Sequence, residues 1–171
     1  SAAGDAAEAS VLNISGPDLP PVEPTAKRLF LVRHGEVINP GGDRPVYYGA
    51  MDVPLSPLGE DEAKAAGAYL GQINLEYVTS SPLSRAVFGA EQVLSMQSSD
   101  SLETTDIVQL EGFRELDRGS WCGKTLDEIG PDLMVRFDAC DESVTPEGGE
   151  SYIYVKQRVL EARDTVLDML S

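Results

Sequence analysis

One histidine and one arginine stand side by side early in the chain, and their side chains suit chemistry on a phosphate group. His34 is the only histidine of the 171 residues, and Arg33 and Gly35 flank it. An arginine guanidinium binds phosphate oxygens as a planar fork, and a neutral imidazole nitrogen can attack phosphorus. The segment therefore indicates phosphoryl transfer. So short a motif also matches by chance, and its downstream context has to make the prediction specific.

The residues before this tripeptide predict the element that would position it. Leu29, Phe30 and Leu31 form an apolar run that predicts a strand over residues 29–33. Open α/β folds bind ligands at the carboxyl ends of their strands. A strand that ends at Arg33 would therefore place the guanidinium and the imidazole at a ligand-binding edge.

Farther along the chain, short apolar runs alternate with helix-like segments. Ser56-Pro57 and Ser81-Pro82 each offer a helix start with proline at the first helical position. The predicted helices are 59–72, one that starts at Ser81-Pro82, 131–140 and 151–170, and the further predicted strands are 77–80 and 107–110. This alternation predicts an α/β fold with a parallel-rich sheet that helices cover on both faces.

Residues 1–26 differ in composition from the rest of the chain, since Ala, Ser, Pro and Asp dominate them. Such a segment buries little apolar surface, so we predict an extended arm over 1–26 and a single domain over 27–171. A disordered linker is one interpretation of the arm. The other is that the domain or a protein partner holds it in place.

The charge balance restricts the partners of this protein. Thirteen basic and 29 acidic residues give a net charge of −16, which argues against nucleic acid and anionic membranes. A phosphate ester would also be repelled at long range, so a phosphate site has to depend on a few local arginines. Apolar residues make up 42% of the chain, as in ordinary soluble domains.

Cofactors and compartment are predicted from what the sequence contains. Two cysteines are too few for a disulfide framework, which favours a reducing compartment. No Cys/His cluster indicates a metal site and no glycine-rich phosphate loop indicates a nucleotide, so no cofactor is expected. The start at Ser1 without methionine fits removal of a targeting segment or an edited sequence. We expect an organelle, preferably a plastid, and otherwise the cytoplasm.

Five motifs in a fixed order make the prediction specific. Together they resemble the histidine phosphatase superfamily, the group that contains the phosphoglycerate mutases, over residues 29–170. The motifs occupy residues 31–36, 48–59, 79–86, 115–121 and 146–151. The resemblance implies a three-layer α/β sandwich of the phosphoglycerate mutase-like type.

The resemblance also implies roles for the matching residues. His34 would be the nucleophile that forms a phosphohistidine, and Arg33 and Arg85 would bind the phosphate. Arg85 follows a predicted helix start, where anions are favoured. Glu115 would donate the proton to the leaving oxygen, with Glu111 as a weaker alternative.

Other residues of the motifs would line the pocket. Asn39 would donate to phosphate or a hydroxyl, although it lies one position nearer the histidine than in the mutases, and Tyr48 and Gly49 would form the wall. Arg44 and Arg114 would be in reach but are more simply solvated.

Four further residues are given structural roles. We expect Trp121 to pack in the domain or form a pocket wall, Cys122 to be a plain small residue, and the pair Asp61-Glu62 to be solvated surface.

The family's second active-site histidine has no counterpart among the 171 residues. In the family it follows a strand beside strand one, after the helix that here ends near Leu170, so we expect the C-terminal part of the fold to be absent. Three explanations stay open. The chain belongs to a longer enzyme, it is a degenerate relative that docks on another protein, or a second polypeptide supplies the missing part.

Two functions follow from this sequence. The first is a phosphatase, less favourably a mutase, that acts on a small phosphate ester through a phosphohistidine on His34; the lack of a long insertion favours the phosphatase. The second is a catalytically impaired subunit of a larger assembly, whose partner contacts the 1–26 arm or the edge of strand one. Without the second histidine we expect about a hundredfold loss of rate or more, so the 171 residues alone should be nearly inactive.

Overall fold

The computed structural model describes residues 17–170, which form an α/β fold with a small parallel sheet. The helices are α1 (Pro57–Leu70), α2 (Ser84–Ser95), α3 (Leu126–Ile129), α4 (Pro131–Asp138) and α5 (Tyr152–Met169). The strands are β1 (Thr79–Ser80) and β2 (Val108–Gln109), and single 3₁₀ turns cover Glu111–Phe113 and Gly119–Trp121. The predicted α/β class is confirmed.

The two strands pair in parallel, as the alternation of strands and helices predicts. Thr79 lies opposite Val108 and Ser80 opposite Gln109. Both strands are shorter than predicted, although backbone hydrogen bonds from Val108 to Val78 and from Leu110 to Ser80 continue the pairing on either side.

The predicted strand at 29–33 is wrong for the part of the chain that the structure describes, because these residues form no β-ladder there. Only Phe30 packs against the apolar core near α1 and α2. The side chain of Leu31 is 94% exposed and that of Val32 is 52% exposed. An apolar run can become a strand only if a neighbouring segment accepts and donates its backbone hydrogen bonds.

Local capping signals place α1 and α2. The Ser56 hydroxyl accepts a hydrogen bond from the Gly59 amide at 3.1 Å, so the predicted Ser-Pro start of α1 is confirmed, with its end at Leu70. Helix α2 begins at Ser84, later than predicted, because the Asp52 carboxylate accepts from both the Ser84 amide and its hydroxyl.

The helices enclose two apolar clusters. One joins α1, α2 and the sheet through Leu70, Val78, Ala90 and Val93. The other lies under α3 and α4 and contains Leu116, Trp121, Ile129, Met134, Phe137 and Val144. The packing role predicted for Trp121 is confirmed, since its ring meets Phe137 edge-on at 5.2 Å between centroids.

Helix α5 closes the described part of the chain. Ala162 and Val166 of its predicted apolar stripe are buried. The Lys27 ammonium donates to the carbonyls of Leu167 and Leu170 at 2.7 and 2.6 Å, which satisfies the C-terminal end of the helix. Residues 17–26 form neither helix nor strand, and the remainder of the predicted arm lies outside the described residues. Among the helices of residues 17–170, none combines the length and apolarity needed to cross a bilayer.

Candidate active site

His34 borders a solvent-open hollow of about 280 Å³. Its lining consists of Arg33, His34, Gly35, Glu36 and Glu62. Two of the predicted site residues, Arg33 and His34, therefore share one hollow. The size suits a phosphate group and the atoms directly attached to it.

A short contact with the backbone orients the imidazole. His34 Nδ1 lies 2.7 Å from the carbonyl oxygen of Gly35. A carbonyl oxygen only accepts hydrogen bonds, so this contact requires the proton on Nδ1. In the neutral ring Nε2 then carries the free electron pair, which is the nitrogen that can act as nucleophile.

The loop that carries His34 rests on the first turn of α1. A side-chain carbon on Gly35 would overlap the carbonyl oxygen of Gly59, and one on Gly59 would overlap the carbonyl oxygen of Glu36. Two backbones approach this closely only where both residues lack a Cβ atom. Gly35 and Gly59 thus determine how near the histidine lies to the helix start.

Hydrogen bonds fasten the same loop to α1. The Glu36 amide donates to Glu62 Oε2 at 2.8 Å, and the Ser56 hydroxyl donates to Glu36 Oε1 at 2.6 Å. The Ser56 amide also donates to the Glu36 carbonyl at 2.9 Å. Residues on both sides of the helix start therefore hold the backbone that follows His34.

Arg85 lies in a different environment. Its side chain is only 2% exposed, and its terminal nitrogens donate to the carbonyls of Met51 and Gly49 at 2.7 and 2.9 Å. The guanidinium carbon lies 5.3 Å from the centre of the Tyr48 ring. The structure thus brings together the predicted residues Tyr48, Gly49 and Arg85, but none of them is in the lining of the His34 hollow.

Backbone geometry explains why residue 49 is a glycine. Its φ angle is +47°, in the left-handed region. A Cβ atom there would lie 2.5 Å from the carbonyl oxygen of Leu116. This close approach connects the Arg85 surroundings with the segment that carries Glu115.

An ionised carboxylate completes the Arg85 surroundings. The Ser84 hydroxyl lowers the pKa of Asp52 most; burial partly opposes this, and the Ser84 amide and the charges of Arg85 and Arg114 add to it. Arg114 is itself paired with Glu111, at 2.9 Å between Nε and Oε2. Asp52 therefore carries its negative charge at neutral pH beside the buried arginine.

Glu115 lies on a firmly held backbone segment but is itself exposed. Arg158 donates to the carbonyls of Gly112 and Arg114 at 2.8 and 2.7 Å and pairs with Glu150. Burial raises the pKa of Glu150, but bonds from Arg158 and the Asp117 amide outweigh it and leave the pKa below its usual value. The Glu115 carboxylate accepts from the Leu116 amide at 2.9 Å and does not line the His34 hollow.

Asn39 uses its amide group within its own loop. Its oxygen accepts from the amides of Gly41 and Val46 at 2.9 and 3.1 Å, and its nitrogen donates to the Val46 carbonyl at 3.0 Å. The side chain thus organises the loop and does not line the hollow. Arg44, also considered within reach of the site, pairs with Glu128 at 2.6 Å.

Asp61 and Glu62 are both exposed, as predicted. In addition, the Glu62 carboxylate accepts a hydrogen bond from the Glu36 amide and lines the hollow. The spacing from Gly59 to Glu62 could have indicated this, because residues three apart share a helix face.

Burial, the largest influence, raises the pKa of the Cys122 thiol, which agrees with a plain small residue. Within residues 17–170 no three His, Cys, Asp or Glu side chains form a metal-binding group.

Comparisons with known proteins identify the relatives of this chain. A family model described as histidine phosphatase superfamily (branch 1) matches residues 29–169. The bifunctional protein Rv2228c of Mycobacterium tuberculosis is 33% identical over 98% of this chain and 45% of its own length. Phosphoserine phosphatase 1 of Hydrogenobacter thermophilus is 31% identical over 77% of this chain and 60% of its own. The chain thus spans about half the length of these curated relatives.

Solved structures show the same fold. The structure of Bacillus stearothermophilus YhfR superposes with a TM-score of 0.67 and 31% identity. The superposition covers 81% of this chain and 66% of the other. The fold of residues 17–170 is therefore that of a known α/β architecture.

Proposed function

Because the chain belongs to the histidine phosphatase superfamily, we propose that it hydrolyses a small phosphate ester through a phosphohistidine on His34. Membership confirms the family predicted from the five motifs. Phosphatase activity is preferred to mutase activity because a relative that resembles this chain is named a phosphoserine phosphatase. The activity and substrate of the whole protein are part of this proposal.

The orientation of the imidazole is the observation that carries the proposal. With Nδ1 bonded to the Gly35 carbonyl, the Nε2 electron pair is available for attack on a phosphate in the hollow that Arg33 lines. Attack forms the Nε2–P bond and breaks the bond from phosphorus to the ester oxygen. Water then attacks phosphorus, gives a proton back to the carboxylate that protonated the leaving oxygen, breaks the P–N bond and releases inorganic phosphate.

The leaving oxygen needs a proton in the first step. We keep Glu115 as the proposed donor, as the family resemblance implies. This role is supported by the position of Glu115 on an anchored backbone segment. Arg158 donates hydrogen bonds to the carbonyls of residues 112 and 114 in that segment. To act, the exposed carboxylate has to reach the ester oxygen once substrate is bound.

Arginines would neutralise the charge on the equatorial phosphate oxygens. Arg33 is exposed and lines the hollow, so a phosphate that enters from solvent can reach it. Arg85 commits two N–H groups to carbonyls, and a guanidinium has five. Its proposed phosphate contact therefore depends on the remaining donors.

The test is to trap the covalent intermediate on the native, full-length protein. We expect incubation with a labelled phosphate monoester to leave an acid-labile, base-stable phosphoryl group on His34. His34→Ala should remove the label and reduce phosphate release by about a thousandfold or more, because the attacking nitrogen is lost. Release of phosphate that persists at the wild-type rate in His34→Ala would refute the proposal.

One observation favours the second candidate, a subunit of an assembly with impaired catalysis. Leu29, Leu31 and Val32 of the run at 29–33 are 39%, 94% and 52% exposed, and a contiguous exposed apolar patch often marks an interaction site. If the native protein neither forms a phosphohistidine nor releases phosphate, but purifies in a stable complex, this candidate replaces the first.

A further inference from the structure

A single peptide unit of the His34 loop takes part in two hydrogen bonds of the site. Its carbonyl belongs to Gly35 and lies 2.7 Å from His34 Nδ1. Its N–H belongs to Glu36 and donates to Glu62 Oε2 at 2.8 Å. Because a peptide unit is planar and nearly rigid, the direction of its N–H fixes the direction of its carbonyl. The Glu62 carboxylate and the imidazole are therefore connected through one rigid group.

The backbone at this peptide is intrinsically free to rotate. Gly35 lacks a Cβ atom, so it restricts the rotation of its peptide less than any other residue would. A flipped peptide would direct its carbonyl oxygen at the Glu62 carboxylate, where two acceptors form no hydrogen bond. It would also take the acceptor away from His34 Nδ1. The carboxylate therefore opposes a rotation that would release the imidazole.

The neighbouring contacts hold a different peptide. The Ser56 amide donates to the Glu36 carbonyl at 2.9 Å, and this carbonyl belongs to the peptide that follows Glu36. The Ser56 hydroxyl donates to the Glu36 side chain at 2.6 Å. Glu62 instead lies against Gly35, since a Cβ atom there would be 2.8 Å from its Oε2. Glu62 thus contacts the peptide that faces His34.

We propose that Glu62 is a positioning residue for His34 and acts through the Gly35–Glu36 peptide. The inference rests on the proposed function, in which Nε2 attacks phosphorus while Nδ1 keeps its proton. A carbonyl held toward Nδ1 keeps the proton there and leaves the electron pair on Nε2. When Nε2 bonds to phosphorus the ring becomes positively charged, so its hydrogen bond to the carbonyl becomes stronger. Glu62 therefore acts on the formation of the phosphohistidine and not on the affinity for the ester.

Three variants separate the hydrogen bond from other effects of residue 62. Glu62→Ala removes the acceptor. Glu62→Gln keeps a carbonyl oxygen that accepts from the Glu36 amide, although its neutral group opposes the flipped peptide less strongly. Glu60→Ala is the matched control, because Glu60 is exposed in the first turn of the same helix and lies outside the hollow.

The kinetic experiment uses the native, full-length protein with glycerol 2-phosphate and p-nitrophenyl phosphate as probes. Glu62→Ala should lower kcat and the single-turnover rate of phosphohistidine formation about tenfold, because the nucleophile loses its orientation. KM should stay within about twofold of the wild-type value, since the groups that bind phosphate are unchanged. Glu62→Gln should keep kcat within about threefold of wild type, because it retains the acceptor. Glu60→Ala should match the wild type.

Nitrogen-15 spectra of the histidine ring provide a readout that a mere loss of stability does not change. The signals of His34 are identified by their loss in His34→Ala. We expect them to show the proton on Nδ1 in the wild type and in Glu62→Gln. In Glu62→Ala they should shift toward a mixture in which Nε2 also carries the proton, at a temperature well below the denaturation midpoint.

The outcomes separate the two proposals. Turnover that His34→Ala abolishes supports the proposed function whatever residue 62 does. The inference alone is overturned if Glu62→Ala keeps the wild-type rate and ring tautomer, or if Glu62→Gln or Glu60→Ala loses as much as Glu62→Ala. A rise in KM with an unchanged tautomer also overturns it, because Glu62 would then act on binding. If the wild type neither turns over nor is labelled by either ester, the proposed function is overturned, and the tautomer in Glu62→Ala decides the inference.

Discussion

The His34 hollow and the surroundings of Arg85 use the same kinds of residues in opposite ways. Arg85 is 2% exposed and its guanidinium donates to two carbonyls, so part of its hydrogen-bonding capacity is used inside the protein. Arg33 and His34 line an open hollow, where the Glu36 backbone is anchored and the imidazole is hydrogen-bonded to the Gly35 carbonyl. Hydrogen bonds from the Arg85 guanidinium to the backbone stabilise the fold. Arg33 and His34 instead keep hydrogen-bonding groups that can bind a substrate. Replacing Arg85 should therefore mainly lower stability, whereas replacing Arg33 should mainly lower activity.

Arg85→Met should give the largest effect on stability. The change leaves the buried carbonyl of Gly49 and the half-buried carbonyl of Met51 without their donors, and we expect a loss of about 3 kcal/mol in the free energy of unfolding. Chemical denaturation measures it. Arg163→Met, at an exposed site on α5 where the side chain pairs with the adjacent Asp164, should change stability by less than about 0.5 kcal/mol. Equal losses in the two variants would remove the distinction between the two regions.

Arg33→Ala should instead reduce activity. Loss of the guanidinium removes charge stabilisation of the transferred phosphoryl group, so kcat/KM for glycerol 2-phosphate should fall about a hundredfold. Arg163→Ala, which alters an exposed arginine on α5 paired with Asp164, is the control and should leave kcat/KM near the wild-type value. Arg33→Ala should keep the wild-type denaturation midpoint; a marked decrease would indicate a structural role.

Gly59→Ala tests the close approach that sets the histidine loop. The new methyl group overlaps the Glu36 carbonyl, so we expect a loss of about 2 kcal/mol. Gly89→Ala on α2 is the matched control, because a methyl group there meets nothing within 4 Å. Alanine is the better helix former, so that variant should gain about 0.5–1 kcal/mol. Two variants that shift stability in the same direction would contradict the packing argument.

Asp52→Asn should give the smallest effect and a pH signature. The pKa of Asp52 is lowered in the folded protein, mainly by the Ser84 hydroxyl, so the ionised group favours folding above the ordinary carboxyl pKa. This contribution should disappear as pH falls through the folded-state value. We expect Asp52→Asn to lose about 1 kcal/mol near pH 7, and this loss should shrink as the pH falls below the ordinary carboxyl pKa.

The control for that prediction is an acidic residue with a local partner. Asp61→Asn removes an exposed carboxylate of α1 that pairs only with Lys64. Its denaturation midpoint should follow the wild type across the same pH range. A pH dependence of Asp52→Asn that matches the wild type would show that the Ser84 contact contributes nothing.

Predictions from the sequence succeeded where the signal and the structure are both local. Ser56-Pro57 marks the start of α1 because a serine hydroxyl caps the amide three residues later, and such bonds join close neighbours in the chain. The order of five motifs identified the family, since motif order is a property of the sequence itself. The pairing of His34 with Arg33 in one hollow also followed from adjacency.

Other features required contacts between distant segments. The run at 29–33 reads as a strand, but strand formation depends on a partner segment that an apolar pattern does not reveal. Likewise, nothing in the residues around position 85 indicates that its guanidinium is buried on carbonyls of residues 49 and 51. The roles of Arg85, Asn39 and Glu115 in substrate binding or catalysis stay predictions.

The sequence alone determined the family and the starts of α1, α4 and α5, and it indicated His34 as the proposed nucleophile, because capping residues and motif order are encoded in neighbouring positions. Tertiary structure alone decided which nitrogen of His34 is free, which arginine is open to solvent, and that Glu62 borders the site. Each of these depends on a hydrogen bond or on burial fixed by the folded backbone, and most of those contacts join residues far apart in the chain. The residue type shows what chemistry a side chain can do. Whether that side chain is free to bind or react depends on the residues that the fold places beside it.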